Sequence, residues 1–88
     1  MKIKIFWQKS CPNCAQAKDL GKSLEEELEV QYYNVDTVDG LTEACLYQVM
    51  ATPTIIMVSE NKEEIESWRG MVPEIGLIKE KITSKQEN

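Results

Sequence analysis

Hydrophobic positions follow spacings that change along the chain, and each change marks an element. Lys2 to Trp7 alternates Lys with Ile and then turns apolar, the pattern of a short strand entering a core. A polar loop, Gln8 to Cys14, follows it, and its Pro12 is expected at the first position of a helix, where the missing N–H costs nothing. From there Cys14, Ala17, Gly21, Leu24 and Leu28 recur at alternating intervals of three and four, one face of an amphipathic helix. Lys18, Lys22, Glu25, Glu26 and Glu29 fall on the opposite face. Val30 to Asp36 is rich in β-formers and predicts a second strand, with Tyr32 and Tyr33 on opposite faces. Asp39-Gly40 predicts a turn. Leu41, Cys45 and Val49 lie four apart and predict a short second helix, with Cys45 a buried structural thiol on its inner face. Thr54 to Val58 is continuously apolar, as in a strand buried on both sides. Ser59 to Lys62 reads as a turn, Glu63 to Arg69 as a returning edge strand, and Gly70 as its end. Pro73 then opens a last helix, with Ile75, Ile78 and Ile82 on one face.

The predicted order is β-α-β-α-β-β-α. A right-handed β-α-β crossover joined to a hairpin gives an α/β fold, a four-stranded mixed sheet flanked by three helices. One domain is expected over residues 1–83, with a frayed tail at 84–88.

Composition narrows what such a domain does. The 88 residues carry a net charge of −5, and the ten basic residues are scattered, which argues against nucleic acid or an anionic membrane as partner. No run approaches the roughly 18 apolar residues of a membrane span, and the apolar stretch near the N-terminus is too short for a signal peptide. With no histidine, Cys–His and Ser–His catalysis are excluded, as are the common histidine-containing zinc sites. Three cysteines fall one short of a closed four-cysteine zinc site and do not make a disulfide-dense secreted scaffold. A cytoplasmic monomer that binds no cofactor is the expectation.

Attention therefore falls on Cys11-Pro12-Asn13-Cys14. Unpaired N–H groups and the partial positive charge of a helix N-terminus stabilise a thiolate. Such surroundings lower a cysteine pKa from about 8.5 to between ~3.5 and ~7.5. Lys9, two residues before Cys11, adds to the effect, and Ser10 and Asn13 complete the loop. Cys14, expected one turn into the helix and less exposed, is placed to attack a mixed disulfide formed at Cys11. Half a metal site, or two small buried residues, are the alternative readings of the pair.

The wider context resembles the thioredoxin superfamily. Phe6-Trp7, three residues and then Cys-x-x-Cys are similar to the thioredoxin active-site strand and loop. Asn34-Val35-Asp36, Tyr47, Thr52-Pro53-Thr54 and Trp68-Arg69-Gly70 fall where thioredoxins carry similar elements, so the resemblance spans Met1 to about Ile82. In size the chain is similar to glutaredoxins and the small glutaredoxin-like thioredoxins, since its first strand begins at residue 2. The resemblance implies a thioredoxin-like fold and a cis Thr52-Pro53 peptide lying against Cys11. It further implies a target segment paired to the backbone of Thr52, with Trp7 beneath the loop or lining the docking surface. Two departures stand out. Ile5 occupies the position of the buried acid of thioredoxins, and the glutathione-gripping Gly-Gly segment and acidic pair of glutaredoxins are not visible around Trp68 to Val72.

The expected function is a dithiol–disulfide oxidoreductase that reduces protein disulfides, with Cys11 as nucleophile and Cys14 as resolving thiol. Its partners would be a disulfide-containing target protein and a flavoprotein of the thioredoxin-reductase type. A glutathione-dependent glutaredoxin and a non-enzymatic thiol module for metal binding or interaction are the competing readings.

Overall fold

The computed structural model describes the backbone of residues 1–86 and side chains as far as Thr83. Its elements are β1 (Lys2–Trp7), α1 (Cys14–Leu24), β2 (Glu29–Asn34), α2 (Val38–Leu46), β3 (Thr54–Val58), β4 (Glu64–Arg69) and α3 (Ile75–Gln86). The expected order holds throughout. The expected frayed tail starts within the last turn of α3, and its residues 87–88 lie outside the described ones.

The four strands lie in the order β2-β1-β3-β4. β1 runs parallel to β2, with Ile3 beside Val30, and antiparallel to β3, with Ile5 beside Ile55. β4 closes the far edge antiparallel to β3, with a register shift at Met57/Val58. This is the mixed sheet of a thioredoxin-like fold. Because β1 and β3 are central and covered on both sides, their side chains are buried over Ile3–Phe6 and Thr54–Val58.

The alternation of β1 and β3 divides the core in two. Ile3, Ile5, Ile55 and Met57 face α1 and α3 and pack with Ala17, Leu20, Leu24, Ile78 and Ile82. Phe6, Ile56 and Val58 face α2 and pack with Ala44, edged by Tyr33, Val35, Tyr47 and Val49. The two tyrosines of β2 divide accordingly. Tyr33 stacks on Phe6 at 5.3 Å between ring centroids, and Tyr32 lies on the α1 face beside Gly21.

Four expectations need correcting. Pro12 is not at the first helical position: α1 begins at Cys14, with Asn13 as its N-cap. The same helix stops at Leu24, so Leu28 lies past its end. Asp39-Gly40 is not a turn, because both residues sit in the first turn of α2. Thr37 caps that helix by accepting a hydrogen bond from the Gly40 N–H at 3.0 Å. Cys45 is not buried; it is an exposed free thiol, and Leu41 is 54% exposed. The inner face of α2 is instead Gly40 and Ala44. Small residues face the sheet because the helix lies very close to it: a Cβ at position 40 would overlap the Asn34 carbonyl.

Lys4 is 6% exposed on the α2 side of β1. A buried ammonium is tolerable only when its donors are satisfied, and Lys4 donates to Gln31 at 3.0 Å, to Tyr33 at 3.1 Å and to Glu43 of α2. Burial pulls its pKa down, but the bonds to Glu43 and Tyr33 outweigh this and hold it above the ordinary lysine value. The network ties α2 to the central strand.

On the opposite face, the Tyr32 hydroxyl donates to Glu25 at 3.2 Å. Burial first, and the Glu25 carboxylate second, push its pKa up to about 12 from 10.0. Between those two values the folded chain holds a proton that the unfolded chain has released, so stability falls as pH rises through this window. Spectrophotometric titration is expected to show one tyrosine ionising near pH 12. Tyr32→Phe should remove that step and flatten the loss of thermal stability above pH 10; an unchanged titration curve would contradict the assignment.

Candidate active site

The loop that follows Trp7 at the end of β1 brings Cys11 to the start of α1. Its first bond is from the Cys11 N–H to the Gln8 carbonyl at 3.2 Å, and its last from the Cys14 N–H to the Cys11 carbonyl at 3.4 Å. Cys11 and Cys14 are joined as a disulfide with a Cα–Cα distance of 5.4 Å. The two sulfurs have unequal surroundings. Cys14 is the first residue of α1 rather than one turn inside it, and it is 3% exposed against the core. Cys11 is half-buried and precedes the helix. An incoming group therefore meets Cys11, and Cys14 is reached only from within the molecule.

Lys9, Ser10, Pro12 and Asn13 are all exposed on the loop. Trp7, Gln8, Lys9, Cys11, Cys14, Ala15 and Lys18 line one shallow groove. Its floor is Trp7, and the Lys18 ammonium sits 3.3 Å from that ring's centroid, a cation–π contact that anchors α1 over the strand end. Ile5, where the resemblance would put an acid, is fully buried among apolar neighbours, so its position supplies no proton carrier.

A second loop, between α2 and β3, carries Thr52 and Pro53. Their peptide bond is cis, and Pro53 is buried. Among the described residues no backbone hydrogen bond engages the N–H or carbonyl of Thr52, while the Pro53 carbonyl accepts from Gly70 at 2.8 Å. The Thr54 hydroxyl donates to the Ala51 carbonyl at 2.6 Å, fixing the strand entry.

Gln8 joins the two loops, and sequence reasoning missed it. Its amide donates to Asp36 at 3.0 Å, and its carbonyl oxygen accepts from the Thr52 hydroxyl at 3.4 Å. The single sequence carries one hint, the position of Gln8 between Trp7 and the cysteine motif. Lys18 was read only as part of a solvated face, since its contact depends on how α1 crosses β1. Cys45, on α2, is not part of the loop. No group of three or more His, Cys, Asp or Glu side chains poised for a metal ion occurs among the described residues.

Comparison with known proteins accords with this geometry. A family profile described as thioredoxin domain matches residues 1–83. Thioredoxin 1 of Thermosipho africanus superposes with a TM-score of 0.72 at 19% identity, covering 99% of this chain and 96% of that one. A thioredoxin of Thermus thermophilus gives 0.65 at 28% identity, covering 90% and 68%. For a Schistosoma mansoni thioredoxin pre-protein the score is 0.75 at 24% identity, covering 94% and 76%. A search of curated proteins finds no match.

Proposed function

The chain belongs to the thioredoxin family, and on that premise we propose that it is a dithiol–disulfide oxidoreductase that reduces disulfides of other proteins. The observation that carries this is the disulfide between a half-exposed Cys11 and a buried Cys14 at the start of α1.

In the reduced enzyme the Cys11 thiolate, favoured by the nearby helix N-terminus and by Lys9, attacks one sulfur of the target disulfide. The target's other sulfur leaves as a thiolate and takes up a proton. Cys14 then loses its proton and attacks the Cys11 sulfur of the mixed disulfide. The Cys11–Cys14 bond forms, and the target's second sulfur departs as a thiolate that takes up the proton Cys14 released. Two electrons and two protons have passed to the target, and no bound cofactor takes part. With the apolar Ile5 where an acid would otherwise be, the proton acceptor is water or another group.

Thr52 and Pro53 position the target. Among the described residues the backbone polar groups of Thr52 have no hydrogen-bond partner, so an extended segment beside the scissile disulfide pairs with them as an added strand would. Trp7 provides the apolar floor alongside. A flavoprotein of the thioredoxin-reductase type returns the pair to the dithiol in the cytoplasm. Among the described residues no helix is long and apolar enough to cross a membrane.

Insulin reduction with dithiothreitol as electron donor tests this reading. The protein is expected to accelerate precipitation of the insulin B chain at catalytic concentrations, and failure to do so would refute it. Glutathione in place of dithiothreitol is expected to support little turnover, whereas efficient turnover would favour a glutaredoxin.

A further inference from the structure

The loop between α2 and β3 has little internal structure, yet it carries Thr52. From Gln48 to Thr52 it is neither helix nor strand. Gln48 turns out of α2 with φ 55°, a left-handed conformation uncommon for a residue with a side chain. Met50 is 93% exposed, so burial holds that part of the loop weakly.

The last residue of β4 and the glycine after it grip this loop at both ends. The Arg69 guanidinium donates through Nη1 to the Gln48 carbonyl at 3.0 Å and through Nη2 to the Tyr47 carbonyl at 3.0 Å. One fork thus satisfies two carbonyls at the end of α2, which a helix C-terminus otherwise leaves without partners. Glu64 at 2.8 Å orients the same nitrogen from the start of the strand. At the other end, the Gly70 N–H reaches the Pro53 carbonyl at 2.8 Å, and Arg69 itself pairs with Thr54 in the sheet. The segment carrying Thr52 is therefore held at its two ends by adjacent residues, Arg69 at the end of β4 and Gly70 just after it.

We propose that Arg69 is a positioning residue that sets where the Thr52 backbone meets a target, and so governs target affinity without touching the sulfurs. This rests on the docking role given to Thr52 under the proposed function. Only a planar fork makes both bonds, so lysine is not an equivalent replacement.

The test compares Arg69→Ala, Arg69→Lys and Glu64→Gln in insulin reduction. Losing a charge-assisted pair of bonds is expected to raise KM about tenfold in Arg69→Ala, with kcat within about twofold of wild type. Arg69→Lys, left with one reachable carbonyl, should fall between the two, and Glu64→Gln should stay near wild type. Reaction of Cys11 with a small aromatic disulfide should be unaffected, since that reagent needs no docking segment. A KM within twofold of wild type in Arg69→Ala, or a parallel loss with the small disulfide, would overturn the proposal. Hydrogen exchange provides a readout independent of activity. Amides of Tyr47, Gln48 and Val49, which bond to carbonyls of α2, should exchange at least about tenfold faster in Arg69→Ala while those of β3 do not change. If the wild type leaves insulin oxidised, the functional reading fails, and unaltered exchange at residues 47–49 would separately refute the positioning role.

Discussion

Cys11→Ser is expected to abolish insulin reduction, lowering turnover by more than about 10³-fold, as removal of a sole nucleophile does. The reason lies in the inequality of the two sulfurs. Cys14 is 3% exposed, so it cannot take over the first attack on a protein disulfide when Cys11 is lost. Cys45 is exposed but lies on α2, without a second thiol beside it to resolve a mixed disulfide. A serine hydroxyl at position 11 gains too little from a helix N-terminus to ionise near neutral pH. Cys14→Ser differs in kind. Cys11 still attacks, but the mixed disulfide then has no internal thiol to break it, so without dithiothreitol one equivalent reacts and turnover stops. Equal residual activity in both variants would mean that the roles are not divided as proposed.

Gly40→Ala is expected to destabilise the fold by about 2–3 kcal/mol, although alanine is the better helix former by about 1 kcal/mol. The added methyl would overlap the Asn34 carbonyl, a backbone atom at the end of β2 that cannot swing aside. That carbonyl also accepts from the Thr37 hydroxyl at 2.8 Å, and Thr37 in turn caps α2. Relief by shifting the helix would thus disturb its N-terminus too. At about 4–8 °C per kcal/mol for a domain of this size, Tm should fall by roughly 10–20 °C. Gly76→Ala makes the control. A Cβ there meets nothing within 4 Å, so the helix preference stands alone and Tm should hold or rise. Thermal unfolding followed by circular dichroism separates the two. A Gly40→Ala variant as stable as Gly76→Ala would show that α2 does not need its close approach to the sheet.

The same close approach explains where the sequence was hard to read. Val49, past the end of α2, does edge the core, but Leu41 and Cys45, which share its spacing and are larger than Gly40 and Ala44, looked like the buried face too. Packing reversed the order, because a helix pressed against a strand end accepts only small residues on its inner side. Asp39-Gly40 looked like a turn for the same reason: the glycine is needed for distance, not for a turn conformation. By contrast, β1, α1 and β3 were readable because their apolar spacing agrees with the faces they bury. Only Leu20 was overlooked on α1. Lys4 is a different case: nothing local reveals that Glu43 and Tyr33 arrive from distant parts of the chain to satisfy its ammonium.

At the site, the two cysteines were legible from their spacing, and Thr52-Pro53 only through the family resemblance. Gln8 and the grip of Arg69 on α2 were not, because each depends on contacts between loops far apart in sequence. Local chemistry shows in a single sequence; the contacts that align it come from tertiary structure.

The central claim is that Cys11 makes the covalent attack on a protein disulfide. Mixing reduced Cys14→Ser with oxidised insulin and mapping any adduct by mass spectrometry tests it directly. The account predicts a one-to-one mixed disulfide through Cys11 that dithiothreitol releases. No adduct, or one attached through Cys45, would contradict it.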